Sequence, residues 1–246
     1  MPRGRAARYG EQQDSILQHA AALFAARGFQ GTSMLDLAHA AGVSKALLYH
    51  YYDDKYQLLV AIAEGHIDRL TALVAEEESL AMDQPARAGT RLERLVRRFV
   101  EEYASARAHH QVLVQDLKYL DEADQARIRQ KERQVVAAFA RAIAADWPEL
   151  GARKLEKPLS MLLFGMINWL FTWFRDEGPL DYPALAALVT GLVFAGLPGL
   201  ATGSGNSEAA HDRETPSSAV TDAPGAIGYA VHTPDSRRSI ETRRRK

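Results

Sequence analysis

The chain has 246 residues, of which 47% are hydrophobic, and a formal net charge of −1. That length and composition suit one or two compact domains with appendages. The sequence holds no cysteine, which excludes a disulfide scaffold and a cysteine-ligated metal site and permits a reducing cytoplasm. The first residues carry arginines with no apolar run behind them, so we expect no secretory signal there and a cytoplasmic location.

A basic segment opens the chain, and we place it at residues 1–10. Arg3, Arg5 and Arg8 lie there before any apolar repeat begins. The first helix is predicted over residues 11–27, because apolar residues recur three and four positions apart on one face. The core-facing residues of this helix are Ile16, Ala20, Leu23 and Phe24.

The stretch over residues 28–55 predicts two short helices around a glycine turn. Ser33 can cap the first helix, and Asp36 three positions later completes a capping box. Gly42 tolerates the left-handed backbone of a tight interhelical turn, and Ser44 can cap the second helix. Two short helices joined in this way are typical of a helix-turn-helix DNA-binding domain, which we place at residues 11–55 together with the first helix.

The second short helix, predicted over residues 45–51, turns Leu48 inward and leaves its remaining surface for another molecule. Ala46 and Leu47 allow apolar contact with thymine methyls, whereas Lys45 can donate to guanine acceptors. The tyrosines on this helix and the following lysine are placed to grip phosphates, although half-buried packing is the alternative for any one tyrosine. The candidate DNA-binding residues of the domain are Thr32, Ser33, Ser44, Lys45, Ala46, Leu47, Tyr49, His50, Tyr51 and Lys55.

Arg3 and Arg5 of the basic segment extend this candidate DNA surface. Arginines just before a helix-turn-helix domain can reach a minor groove or the phosphate backbone. A frayed, solvated terminus is the alternative for the same residues. The net charge of −1 does not decide between them, because the distribution of charge matters more than its sum for phosphate binding.

The same stretch resembles the DNA-binding domain of the TetR family of bacterial repressors. The resemblance rests on Phe24, Gly28, Phe29, Thr32, Ser33, Ala38, Ala41, Gly42, Val43, Leu48, Tyr49, Tyr51 and Lys55. It implies phosphate contacts for Ser33, Tyr49, Tyr51 and Lys55, and base contacts for Lys45, Ala46 and Leu47. The family more often has phenylalanine where this chain has Tyr52, which adds a hydroxyl that needs water or a partner.

Beyond the DNA-binding domain the sequence predicts helices throughout, and the fold class is all-α. Apolar residues recur three and four apart, and no stretch shows sustained strand alternation. The predicted helices cover residues 53–80, 89–107, 109–120, 122–145, 152–175 and 182–195. We assign residues 56–197 to a ligand-binding and dimerisation domain. The remaining tail, 198–246, is rich in small and polar residues, and we expect it to be disordered from residue 203 onward.

Two runs, at residues 159–174 and 182–197, are apolar nearly all round. A membrane hairpin is one interpretation, because each run approaches the length that spans a bilayer. Asn168 and the charged connection between the runs disfavour it. The resemblance implies instead that these helices pair with those of a second subunit. A homodimer also suits the DNA-binding domain, because one short helix covers only a few base pairs and two of them bind a palindromic operator.

The segment over residues 165–178 resembles TetR-type regulators that respond to coenzyme A thioesters. Over residues 9–197 the chain looks most like the repressors of phenylacetate degradation, whose inducer is phenylacetyl-CoA. The resemblance implies an aryl or acyl group between aromatic walls; another acyl-CoA or a small hydrophobic ligand is the alternative. The candidate ligand-binding residues are Tyr103, His109, Leu113, Asp116, Leu117, Phe164, Asn168, Trp169, Trp173 and Arg175.

Some of these residues have simpler alternatives. Trp169 and Trp173 are four positions apart, so on one continuous helix they share a face, but each can also be ordinary core packing. Arg175 can meet the ligand phosphates or be a solvated helix residue.

We expect no cofactor, no metal site and no enzymatic activity. His109 and His110 lack the Glu-x-x-His or His-Glu-x-x-His spacing of helical metal sites. The chain has no G-x-S-x-G elbow, phosphate-binding loop or dinucleotide fingerprint, which disfavours a helical enzyme as the competing interpretation.

Overall fold

The computed structural model of the chain describes residues 3–83, 90–175 and 177–202. Every regular element in these ranges is helical, which confirms the all-α prediction. The elements are α1 Arg3–Arg27, α2 Met34–Ala40, α3 Lys45–Tyr51, α4 Lys55–Asp83, α5 Arg91–Ser105, α6 Arg107–Asp116, a 3-10 turn Leu117–Tyr119, α7 Glu122–Asp146, α8 Pro148–Ala152, α9 Glu156–Ile167, α10 Leu170–Trp173 and α11 Tyr182–Ala201.

The first helix is longer than the sequence indicated. Helix α1 begins at Arg3, so the segment predicted as a separate basic arm continues the helix instead. Alanine and arginine are strong helix formers, and the helical course brings Tyr9 onto the ring of Tyr51, with ring centroids 4.5 Å apart. Packing against α3 therefore helps to order the first residues of α1, which the sequence pattern had indicated as a free end.

Local caps fix the two short helices as predicted. The Ser33 hydroxyl accepts from the Asp36 amide at 3.2 Å, and the Ser33 amide donates to the Asp36 carboxylate at 2.9 Å, which completes the capping box. The Ser44 hydroxyl accepts from the Leu47 amide at 3.1 Å at the start of α3. Gly42, with φ of +64°, makes the turn between the helices in the left-handed region.

Helix α4 joins the DNA-binding domain to the larger helical domain. It packs against α1 and against α5, α6 and α7. Its inward residues Leu58, Leu59, Ile62, Ile67 and Leu70 are all almost completely buried. The apolar stripe from Leu58 to Leu70 extends along the helix at about 1.5 Å per residue. It keeps the two domains in one continuous core.

The C-terminal helices depart from the predicted boundaries. The helix expected over residues 152–175 is divided into α9 and α10, with a break at Asn168 and Trp169. Pro148 starts the short α8 in the gap between the predicted helices 122–145 and 152–175, as proline can at the first helical position. Helix α11 continues through Pro198 to Ala201, beyond the expected start of the tail. The disorder predicted for residues 203–246 lies outside the described residues.

Candidate nucleic-acid interface and ligand-binding core

Helix α3 presents a free surface made of the residues that the sequence singled out. Leu48 is fully buried beneath the helix, whereas Leu47 is 37% and Tyr49 42% exposed. Lys45, Ala46 and His50 are exposed on the same helix, and Lys45 Nζ lies 5.7 Å from the centre of the Tyr49 ring. One anchoring leucine on a capped helix of seven residues leaves most of its side chains outside the protein.

A groove runs beside this helix, between the start of α2 and the start of α4. Ser33, Lys45 and Tyr49 line it together with backbone of the α1–α2 loop. Its polar groups include the amide end of α2, and helix N-termini favour anions. The Ser33 hydroxyl is already bonded to Asp36, whose carboxylate pKa is held below its usual value by the hydrogen bonds from Ser33.

Two residues predicted to contact DNA have partners inside the protein. The side chain of Thr32 is 2% exposed, and its hydroxyl donates to the Gly28 carbonyl at 2.9 Å. Lys55 Nζ donates to the carbonyls of Phe29, Thr32 and Gln30 at 2.9, 3.0 and 3.4 Å. In the structure the Thr32 hydroxyl closes the end of α1, and the Lys55 ammonium holds the α1–α2 loop with its three protons. Contact of these two residues with DNA stays a prediction.

An aromatic cluster that the sequence reasoning missed borders α3. Tyr9, 45% exposed, stacks on Tyr51 and meets the edge of His50 at a centroid distance of 6.5 Å. Tyr51 is half-buried by this contact. The buried hydroxyl of Tyr52 receives a hydrogen bond from Gln13 Nε2 at 3.2 Å, which supplies the partner that this tyrosine needs. The side chains of Arg3 and Arg5 lie outside the described part of the structure.

In the larger domain, the structure brings Tyr103 and Asn168 together at the centre of the bundle. The Tyr103 hydroxyl donates to Asn168 Oδ1 at 2.9 Å, and the Tyr103 ring stacks on His110 with centroids 3.7 Å apart. His110 Nε2 lies 3.4 Å from the Asn168 carbonyl oxygen. The break between α9 and α10 allows this contact, because it places the Asn168 side chain and carbonyl inside the bundle.

A directed hydrogen-bond chain connects this centre to α4. The guanidinium of Arg69 can only donate, and its NH2 group lies 3.2 Å from His66 Nδ1. His66 Nε2 must therefore carry the proton that bonds His110 Nδ1 at 3.3 Å, and His110 Nε2 in turn donates to Asn168. Burial lowers the pKa of His66 well below 6.5 and that of His110 to about 3, so both rings are neutral.

Below this polar centre lies a buried phenylalanine cluster. Phe139 packs against Phe99 and Phe164 with ring centroids 4.9 and 4.8 Å apart, and all three side chains are fully buried. Phe164 was predicted as a ligand-binding residue, whereas Phe99 and Phe139 were not. Leu113 is also fully buried on α6.

Other predicted ligand-binding residues are more scattered. His109 is half-buried, and burial lowers its pKa to about 4. Asp116 and Leu117 are buried about two turns along α6 from the polar centre, where Tyr119 packs against Phe29 at 5.3 Å. Burial raises the pKa of Asp116 to about 6.

Trp173 and Arg175 do not join the buried centre. Trp173 is 56% exposed and Arg175 is also exposed, so neither lines the interior. Trp169 is the N-cap of α10 and Trp173 is its last residue, so the pair lies after the break that ends α9 at Ile167. Trp169 is half-buried and meets the edge of Phe171 at 5.8 Å.

Helices α9 and α11 carry a large outward apolar face. Leu162, Met166, Leu188 and Leu192 are 67%, 42%, 52% and 61% exposed. Of the described helices, α11 has the length and hydropathy of a membrane span, with 22% of its apolar window buried. An apolar face of this kind requires a covering surface, which a second subunit supplies in dimeric helical proteins.

Comparison with known proteins agrees with this two-domain organisation. Residues 16–62 match the family described as bacterial regulatory proteins, tetR family, and residues 85–197 match the tetracyclin repressor-like, C-terminal domain. A solved TetR-family transcriptional regulator from Bordetella parapertussis is 34% identical; the alignment covers 74% of this chain and 94% of that one, with a TM-score of 0.67.

Two further relatives extend the comparison. The structure of AibR in complex with isovaleryl coenzyme A and operator DNA is 25% identical, covers 74% of this chain and 98% of its own, and has a TM-score of 0.59. The repressor KstR2 of Mycobacterium tuberculosis is 25% identical over 207 residues, 78% of this chain and 96% of that protein. The match to KstR2 of Rhodococcus jostii is 35% identical but spans 75 residues, 30% of this chain and 37% of that protein.

Three observations indicate the same family: the helix-turn-helix with its exposed α3, the helical domain that follows it, and the likeness to a 34% identical regulator over 94% of that regulator's chain. The chain belongs to the TetR family of DNA-binding transcriptional regulators.

Proposed function

We propose that the protein is a cytoplasmic transcriptional repressor that binds a palindromic operator as a homodimer and is released by a coenzyme A thioester. The observation that carries the DNA-binding part is the free surface of α3. Its only deeply buried residue is Leu48, so Lys45, Ala46 and Leu47 are available to the base edges in a major groove.

Phosphate contacts frame this surface. We assign them to Ser33, Tyr49 and Tyr51, with Ser44 and His50 at the two ends of α3. Tyr9 joins the set because it stacks on Tyr51 and stays 45% exposed. We retain Arg3 and Arg5 as contacts to the DNA backbone or minor groove, now carried by α1 itself. Their charge favours phosphates although the total charge of the chain is −1.

Support for a thioester effector comes from the relatives and from the interior. AibR was solved with isovaleryl coenzyme A and operator DNA, and its likeness extends over 74% of this chain. The centre of the larger domain combines an apolar aromatic cluster with a few polar groups, as small-molecule sites do. We propose phenylacetyl-CoA as the first candidate, because Phe99, Phe139 and Phe164 offer ring edges and faces to an aryl group.

Release from DNA requires that the effector prefer an arrangement in which the two α3 helices are wrongly spaced. Contacts from the polar centre lead toward the DNA-binding domain by two routes. Asn168 connects through His110 and His66 to α4, and on α6 the Gln111 side chain donates to the Ala25 carbonyl of α1 at 2.9 Å. An effector that moves α6 therefore acts on α1 and α4 together.

The DNA-binding part is tested with duplexes selected from a random pool and measured by fluorescence anisotropy over a range of salt. Lys45→Ala should weaken binding to the selected duplex by about 1–3 kcal/mol and relax the sequence preference, since one base contact is worth about that much. Lys157→Ala, an exposed lysine of α9, is the matched control and should change nothing. Equal effects of the two variants would contradict the assignment of α3.

The effector part is tested by calorimetry with phenylacetyl-CoA, isovaleryl-CoA, a fatty acyl-CoA, free phenylacetate and bare coenzyme A. We expect the thioesters to bind and to release the duplex, with phenylacetyl-CoA the tightest. Binding of bare coenzyme A as tightly as any thioester would contradict a site for the acyl group. Release by isovaleryl-CoA at lower concentrations than by phenylacetyl-CoA would replace the aryl candidate with a branched alkyl one.

A further inference from the structure

Glu132 of α7 is a buried acid without a hydrogen-bond partner among the described residues. Its side chain is 0% exposed, and neither carboxyl oxygen has a donor within reach. Two other buried acids in the described part of the chain are paired, Glu77 with Arg94 at 2.9 Å and Asp124 with the Tyr56 hydroxyl at 2.6 Å. An unsatisfied buried carboxyl costs stability, so its presence in a well-packed interior indicates an external partner.

Glu132 lies on the buried side of α7, in the bundle that also holds the polar centre. Phe99, Phe139 and Phe164 mark one level of the bundle. Four residues onward, about 6 Å along α5 and α9, lie Tyr103 and Asn168, which bond each other. Helix α7 packs against α5, and Glu132 lies about two turns before Phe139 on the same face of α7.

Electrostatics agrees with this placement. Burial raises the pKa of Tyr103 well above its usual value, and the negative charge of Glu132 raises it further. Burial likewise raises the pKa of Glu132 to about 7, against the opposing charges of Arg129 and Arg133. Glu132 and Tyr103 therefore share one low-dielectric environment.

The chemistry of this environment selects a hydrogen-bond donor. The carboxylate of Glu132 accepts, and the Tyr103 oxygen keeps an acceptor lone pair because its proton is given to Asn168. An ammonium ion would bring a full positive charge into this apolar interior, which costs more desolvation than a neutral hydroxyl does. A neutral hydroxyl needs only the hydrogen bond.

We propose that Glu132 and Tyr103 form an anchor for a hydroxyl group at the far end of the effector's acyl chain. This inference rests on the proposed function, in which the acyl part of a thioester enters the larger domain. The large, charged coenzyme stays nearer to solvent, so the group that reaches a fully buried acid is the distal end of the acyl chain. The effector is then a hydroxylated acyl thioester, and a plain one is a weaker analogue.

The test uses matched pairs of probes that differ by one hydroxyl. The pairs are phenylacetyl-CoA with 4-hydroxyphenylacetyl-CoA, and hexanoyl-CoA with 6-hydroxyhexanoyl-CoA. The wild-type protein should bind the hydroxylated member of at least one pair about 10-fold or more tightly, because a hydrogen bond to a charged acceptor is worth that ratio. Equal binding within both pairs, or preference for the plain members, would overturn the proposal.

Variants assign the preference to Glu132. Glu132→Leu should abolish or reverse it, whereas Glu132→Gln, whose amide oxygen still accepts, should retain a few-fold preference. Ile128→Val is the matched control, since it alters a fully buried apolar residue one turn away on α7 and should affect both members of a pair equally. An unchanged preference in Glu132→Leu overturns the proposal. Should the leucine variant not fold, the reduction in Glu132→Gln decides.

Probes without coenzyme A separate this inference from the proposed effector class. The thermal stabilisation of the protein by 4-ethylphenol is compared with that by ethylbenzene, in the wild type and in Glu132→Gln. A hydroxyl preference that depends on Glu132 here, together with no binding of any thioester, would contradict the thioester effector and leave the anchor standing. Thioester binding without any hydroxyl preference in either set of probes would contradict the anchor and leave the thioester effector standing.

Discussion

The environment of Lys55 leads to a prediction that separates two roles for this residue. The resemblance to the family implies a phosphate contact, whereas in the structure its ammonium donates to three loop carbonyls and lies 4.6 Å from the centre of the Phe29 ring. Lys55→Met keeps the apolar stem and removes all three donors. The carbonyls of a half-buried loop are then left without their partner.

The size of the effect follows from these hydrogen bonds. One hydrogen bond with a charged donor contributes about 1.5–3 kcal/mol, and for a half-buried lysine whose carbonyl partners can turn to water we take about 2 kcal/mol for the set. In a domain of this size 1 kcal/mol corresponds to about 2–4 °C, so Tm should fall by about 4–8 °C. Differential scanning calorimetry of the protein without DNA measures this directly.

The salt dependence of operator binding decides the alternative. If Lys55 neutralises one phosphate in each subunit of a dimer, its removal makes the negative slope of log K against log salt shallower by about 1.8. A lysine with only a structural role leaves this slope unchanged. Lys55→Arg provides the control, because it keeps the charge but changes the geometry of donation. An unaltered Tm together with a reduced slope would refute the loop-holding role.

Three further predictions concern the capping box of α2, the separation of DNA binding from thioester binding, and the pH dependence of stability. Ser33→Ala should lower the free energy of unfolding by about 1 kcal/mol, because the capping box is removed, and urea denaturation measures it. Tyr49→Ala should weaken operator binding with little effect on thioester binding, and Trp169→Ala should do the reverse; loss of folding in both would contradict the assignment. Because the pKa of His110 is about 3 in the folded chain against the ordinary 6.5, the unfolded chain binds the proton first. The stability of the wild type should therefore fall as pH decreases from about 6.5 toward 3, and His110→Gln should fall less in the same titration.

The DNA-binding domain was the most predictable part of the chain, because its determinants are local. Ser33, Asp36, Gly42 and Ser44 act on backbone within three residues of themselves, so spacing alone predicts their caps and turn. The loop contacts of Lys55 were missed for the opposite reason. Its partners are carbonyls of a loop more than twenty residues earlier, and a sequence pattern does not show which donor closes such a loop.

The interior of the larger domain was predicted only in part. Tyr103, Phe164 and Asn168 were identified by composition and resemblance, but their meeting depends on the helix break at Asn168, which an unbroken apolar run conceals. Glu132 was missed because it lies in a polar stretch of α7. A signal was present, since Glu132 follows Ile128 by four residues and so falls on the buried stripe of that helix.

Because α1 is one unbroken helix, a small rotation near one end moves its other end much further. The helix has 25 residues and is therefore about 37 Å long, and Gln111 of α6 grips it near one end, at Ala25. A rotation of roughly 5° about that grip would sweep the opposite, arginine-bearing tip through roughly 3 Å, by the length of the helix alone. Displacements too small to disturb the packing around α6 are thus magnified at the tip, and the phosphate contact that we propose there would tolerate far less.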